Sequence, residues 1–132
     1  MTRHRFPIRI YYEDTDFSGN VYHAAYLKFF ERGRTEFLRD EGIHHSELAA
    51  QGLAFAVRSM DIAFDRAAHI DDLLTVTTEV AAVSGARLTL AQTILRDEVV
   101  LTRASVVVVA IKTAGGAARM PRSILERFGP KD

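Results

Sequence analysis

VYHAAYLKFFERGRTEFLRDE, residues 21–41, is the stretch on which the fold turns. Within it Tyr26, Phe29, Phe30, Gly33 and Phe37 recur at i, i+3, i+4, i+7 and i+11, one apolar stripe at helical period, with Lys28, Arg32, Glu36 and Arg39 on other faces. The spacing predicts a helix from Val21 to about Glu41, with Asn20 as N-cap and Gly42 at its C-terminal end. About 20 helical residues span roughly 30 Å, enough to make this the central element of a small domain. Gly33 in mid-helix costs about 1 kcal/mol relative to Ala, which points to close backbone packing against a sheet.

Outward from the helix, the period changes to two. On its N-terminal side, residues 5–13 alternate, with Phe6, Ile8, Ile10 and Tyr12 on one face, and read as a strand with Pro7 near its start or on an edge. The polar run from Glu13 to Asn20 between strand and helix is a loop. On the C-terminal side, residues 44–52 form one short helix ending at Gly52. Four strands follow, over Leu53–Phe64, Leu73–Val83, Arg87–Arg96 and Val99–Ile111. The last three are joined by short turns as an antiparallel meander. Gly115-Gly116 breaks the pattern, and Pro121 opens a short final helix, Arg122–Phe128. The economical packing is an α+β domain over 1–132, about five antiparallel strands wrapped around one long helix. Val99–Ile111 is long and apolar, so exposed as an edge it would demand cover or dimerisation.

Composition narrows the function. The 132 residues are 48% hydrophobic, enough for a core without staples, and contain no Cys, which excludes disulfides and thiolate metal sites. His44-His45 are adjacent and diverge on either a helix or a strand, so they read as surface residues and no metal site is expected. Lys+Arg and Asp+Glu are both 17, without the basic excess of a nucleic-acid binder. No signal-type N-terminus is visible, and the longest apolar run, Val106–Ile111, is too short to span a bilayer; a cytoplasmic location is the expectation.

The chemistry gathers in Tyr11-Tyr12-Glu13-Asp14-Thr15-Asp16-Phe17-Ser18-Gly19-Asn20-Val21-Tyr22-His23-Ala24-Ala25-Tyr26. Asp-rich loops before helices commonly supply caps and turns, and Asp14 reads as such a turn carboxylate. The whole segment, however, resembles the signature of the hotdog-fold acyl-CoA thioesterases. Within them it is closest to the 4-hydroxybenzoyl-CoA thioesterase family and its YbgC-like, Tol–Pal-associated subgroup. Similarity continues through Leu27–Leu38 and, more weakly, Phe55-Ala56-Val57-Arg58 and Asp71-Asp72.

The resemblance implies hydrolysis of an acyl-CoA to free acid and CoA without metal or redox cofactor. Asp16 matches the family's catalytic carboxylate, as nucleophile or as base for water, and the His23 amide polarises the thioester carbonyl; the His23 side chain orients water, holds Asp16 or packs. The physics of the segment agrees, because a helix N-terminus offers unsatisfied amides and partial positive charge, which would receive an oxyanion and keep Asp16 ionised. Gly19 lets the loop turn and substrate approach, and Tyr22 lies on the substrate side. For the CoA phosphates Arg87, in the turn after Ser84, is the first candidate and Arg58 the second. Acyl carrier protein is an alternative carrier. The resemblance further implies a homodimer or homotetramer with the active site between subunits.

Two other classes compete. Hydratases of this fold carry an Asp-to-His spacing of five, against seven from Asp16 to His23. A non-catalytic acyl-CoA-binding module would bind without turnover.

Overall fold

The computed structural model describes residues 3–129; the remainder of the expected domain, 1–2 and 130–132, lies outside the described residues. The elements are β1 (His4–Arg9), α1 (Ala25–Asp40), α2 (His45–Ala50), β2 (Leu53–Phe64), β3 (Leu73–Val83), β4 (Arg87–Arg96), β5 (Val99–Lys112), β6 (Ala117–Ala118) and α3 (Arg122–Phe128). All pairings are antiparallel, and the strand path is β1-β3-β4-β5-β2, with two-residue β6 added beside the end of β5.

One face of this sheet is continuous in register. Ile8 lies opposite Leu74, Val76 opposite Ile94, Leu90 opposite Val106, and Val106 opposite Met60. Onto it α1 lays the stripe expected from its spacing: Tyr26, Phe29, Phe30, Gly33 and Phe37 are all buried. Phe29, Phe30 and Phe37 alone remove enough apolar surface from water to contribute about 5–9 kcal/mol as an upper figure. The Phe128 ring of α3 stacks on Phe37 at 5.5 Å and closes the far end of this core.

Gly33 is where helix and sheet come closest. A Cβ built there would sit 2.5 Å from Val76 Cγ1 and 3.3 Å from Gln92 Nε2. The expectation of close backbone packing is met, and Ala at this position would not fit without a shift. Gln92 occupies a buried place in the Leu88, Leu90, Gln92, Ile94 alternation of β4. Its amide is fully used: Nε2 donates to Phe30 O (3.0 Å) and Thr78 Oγ1 (2.9 Å), and Oε1 accepts from Arg34 Nη1 (3.0 Å). Arg34, on the same helix, is buried, and desolvation lowers its pKa.

Two expectations need correction. The first strand ends at Arg9 and residues Tyr12–Asp14 form a 3₁₀ turn, so Tyr12 leaves the alternating face and stands exposed. The long helix begins at Ala25, not Val21, because Asn20 and Val21 are extended and held in isolated bridges to His69 and Thr15; Asn20 is therefore not its N-cap. The apolar strand Val99–Lys112 has the cover its sequence demands: it is internal, with β4 on one side and β2 on the other, and the edges of the path are β1 and β2. β2 also carries a bulge between Val57 and Ser59. The extra residue, Arg58, keeps both Phe55/Val57 and Met60/Ile62 on the helix-facing side, an alternation that the linear sequence breaks. His44 and His45 lie at the surface as expected, and there they line the open cavity described below.

Candidate active site

The segment Thr15–Val21 is a miniature hairpin. Thr15 bridges Val21, the Asp16 amide donates to Asn20 O (2.9 Å), and the Gly19 amide donates to Asp16 O (3.2 Å). That tight turn puts Gly19 at φ +85°, a conformation glycine adopts without steric cost, while a Cβ there would meet nothing within 4 Å. The requirement at Gly19 is thus conformational.

At the tip, the Asp16 carboxylate is exposed and accepts from the Ser18 hydroxyl and from the Ser18 amide (2.8 Å). These donors, the hydroxyl first and the amide second, hold its pKa below the ordinary carboxylate value. An exposed Asp is ionised at neutral pH in any case, and the loop's own donors favour that charged form further. Asp14 is the turn carboxylate expected, accepting from the Tyr11 amide at 2.8 Å.

On the helix side, the amides of Val21 and Tyr22 are taken by Ala68 O (2.8 Å) and Asp14 O (2.9 Å). The His23 amide has no such partner among the described residues. It sits in the turn that opens α1, whose N-cap, Ala24, supplies no side-chain cap. The His23 amide thus lies free at the positive end of a 16-residue helix. The His23 and Tyr22 rings are both exposed and lie 4.5 Å apart in a tilted pair.

Asp16, Gly19, Tyr22 and His23 thus come together. Arg58 and Arg87 do not join them within one chain. The Asp16 loop packs on residues 65–72, beyond the end of β2 and before the start of β3. Arg58 is exposed at the β2 bulge, six residues back from Phe64, and Arg87 opens β4 at the end opposite Arg96, about 30 Å along the strand.

A cavity of about 750 Å³, with no local signal in the sequence, lies between the C-terminal half of α1, α2 and the sheet. Glu31, Arg34 and His45 supply polar groups on its wall, and Phe55, Leu90 and Val108 supply apolar ones. The His45 ring meets Phe55 edge-on at 5.8 Å. Partial burial, then Arg39, lowers its pKa, with Glu31 opposing. The polar residue at a buried place of an alternating strand, Gln92, was the one available signal that α1 carries a buried cation here. Among the described residues no cluster of His, Asp and Glu has metal-binding geometry.

The model of the thioesterase-like superfamily matches residues 11–128. The chain belongs to that superfamily. Its members provide near full-length relatives. The acyl-CoA thioester hydrolase YbgC of Escherichia coli is 40% identical over 129 residues, covering 96% of each chain. The acyl-CoA thioesterase YbgC of Haemophilus influenzae is 48% identical over 107 residues, 80% of this chain and 79% of that one. A probable thioesterase from Bartonella henselae, whose crystal structure superposes with a TM-score of 0.87, is 48% identical and covers 91% of this chain and all of its own. The sheet wrapped on α1 is the hotdog fold of this superfamily. No helix among the described residues is long and apolar enough to cross a membrane.

Proposed function

We propose that this chain hydrolyses acyl-CoA thioesters to a free acid and CoA, with Asp16 as the reacting carboxylate and the His23 amide as the oxyanion donor. The observation that carries the reading is the pairing of an ionised, exposed Asp16 with an unpartnered His23 amide at the opening of α1. In chemical terms, water adds to the carbonyl carbon, the C–S bond breaks, and the thiolate leaves to take a proton. Asp16 either removes the water's proton or attacks carbon first and is then hydrolysed. Both routes place negative charge on the same carbonyl oxygen, which the His23 amide receives in a site where the helix terminus already favours an anion.

We further propose that the working unit is a homodimer, or a homotetramer made of two such dimers, built on β2. Its outer side is an unpaired edge twelve residues long, with Val57 and Phe64 exposed. Antiparallel pairing of two such edges about their middles would set the Phe64 end of one copy beside the Leu53 end of the other. The Asp16 loop of one copy would then lie near the Leu53 end and the cavity of its partner, with Arg58 of both copies at the centre of the paired edge and Arg87 further along. The cavity supplies an apolar wall for the acyl group, and the two arginines suit the CoA phosphates. Tyr22 and Gly19, flanking the reacting atoms, are the substrate-side residues of the loop.

The test is thiol release from acyl-CoAs of several chain lengths and one aromatic acyl-CoA, by wild type and by Asp16→Asn. Wild-type turnover that falls at least a hundredfold in D16N, with circular dichroism unchanged, is the expected result. No thiol release from any substrate overturns the activity, and full activity of D16N overturns the site. A chain that sediments as a monomer at micromolar concentration overturns the shared site.

A further inference from the structure

Two loops meet beside the Asp16 turn. Residues 65–72 dock on residues 15–21 through the main chain, with the Val21 amide donating to Ala68 O (2.8 Å), the Ile70 amide donating to Gly19 O (3.0 Å), and Asn20 bridging His69. Among the described residues one side-chain hydrogen bond joins the two: His69 Nδ1 and Asn20 Oδ1 are 2.7 Å apart. With the amide oriented this way its oxygen only accepts, so Nδ1 carries the proton and donates.

Behind His69 the anchoring is firm. The His69 amide donates to Asp72 Oδ2 (2.9 Å), the same oxygen accepts from Arg96 Nη1 (2.8 Å), and Arg96 reaches Ala67 O (3.3 Å). Arg9 on β1 holds Asp71 O at 2.8 Å. Ahead of it, the Asn20 carbonyl is the acceptor of the Asp16 amide. A chain of contacts therefore runs from the last residue of β4, through Asp72 and His69, to Asn20 and the backbone of Asp16. It is the side-chain link by which the reacting loop takes its position from the sheet.

We propose that His69 and Asn20 are a pair of positioning residues that hold the Asp16 turn at its working distance from the His23 amide. The pair touches no substrate and acts through the Asn20 main chain; it rests on the reading of Asp16 as the reacting carboxylate. Its effect falls on the chemical step, since misplacement of a reacting group by about 1 Å can cost about a hundredfold in rate. The pair is exposed or half-buried and outside the core, so folding should survive its loss.

The experiment uses the full chain and compares His69→Ala, Asn20→Val, the double variant and His69→Asn, with Asp16→Asn in parallel. Val suits the extended backbone of position 20 and removes the acceptor; Asn at 69 restores a donor at the reach of Nδ1. Expected are a fall in kcat of about tenfold in H69A and in N20V, with KM within about twofold. The double variant should fall no further than the worse single one, and H69N should regain at least about half of wild-type kcat. Additive losses near a hundredfold in the double variant, a loss carried by KM, or singles within twofold of wild type would each overturn the pairing. So would a failure of H69N to recover activity. An active D16N refutes the site itself; an inactive D16N beside fully active H69A and N20V refutes only the positioning role.

Discussion

Replacing Gly33 with Ala sets two effects of opposite sign against each other, and the structure decides between them. Helix propensity favours Ala by about 1 kcal/mol in a helix interior. Against it stands one methyl placed 2.5 Å from Val76 Cγ1 and 3.2 Å from Val76 Cβ, with the Gln92 amide at 3.3 Å. Overpacking by a methylene costs about 1–3 kcal/mol, and the upper part of that range applies because neither neighbour can retreat. Val76 is fully buried in β3, between β1 and β4. Gln92 is pinned by hydrogen bonds to Phe30, Thr78 and Arg34. The net expectation is a loss of about 1–2 kcal/mol, or about 4–8 °C in Tm for a chain of this length. Urea unfolding followed by circular dichroism measures it, at one fixed protein concentration because association would shift the midpoint. Adding Val76→Ala in the G33A background should recover part of the loss, so that the two changes couple favourably by about 1 kcal/mol. A G33A midpoint equal to or above wild type would refute the argument, since propensity would then outweigh a contact this short.

Two further changes probe other parts of the molecule. Gln92→Leu leaves the buried Arg34 guanidinium without its side-chain acceptor and strips a donor from Phe30 O and Thr78; it should cost about 2–3 kcal/mol, read as a lower urea midpoint with m unchanged. Ser18→Ala removes the largest of the effects lowering the Asp16 pKa, so that pKa should rise toward the ordinary carboxylate value. Because the carboxylate is the reacting form, activity is lost as pH falls through that pKa, and the acid limb of kcat/KM should move to higher pH in S18A; an unmoved limb would remove Ser18 from the account.

Local periodicity and local motif carried a great deal. The stripe Tyr26–Phe37 needs nothing beyond its own spacing to declare a helix with one buried face, and Gly33 within it declared the close approach. The three-strand meander follows from short turns between alternating runs, where neighbours in sequence are neighbours in space. The segment from Asp14 to His23 was legible as the carrier of a family resemblance, and that resemblance agrees with the superfamily assignment. What tertiary structure decided is what joins distant residues. β2 crosses to the far side of β5, and that pairing covers the apolar Val99–Lys112 and leaves Leu53–Phe64 at the edge. The bulge at Arg58 exists only against β5, since a shift of register has no meaning for a strand alone. Asn20 looked like a helix cap, because Asn before an apolar periodic run has that local chemistry. Its partner is His69, 49 residues away, and only the folded chain pulls Asn20 into an extended bridge and delays the helix to Ala25. Hydrogen bonds and packing between segments far apart in sequence leave no trace in the local period of either one, which is why the Asp14–His23 loop could be recognised in the sequence and what holds it in place could not.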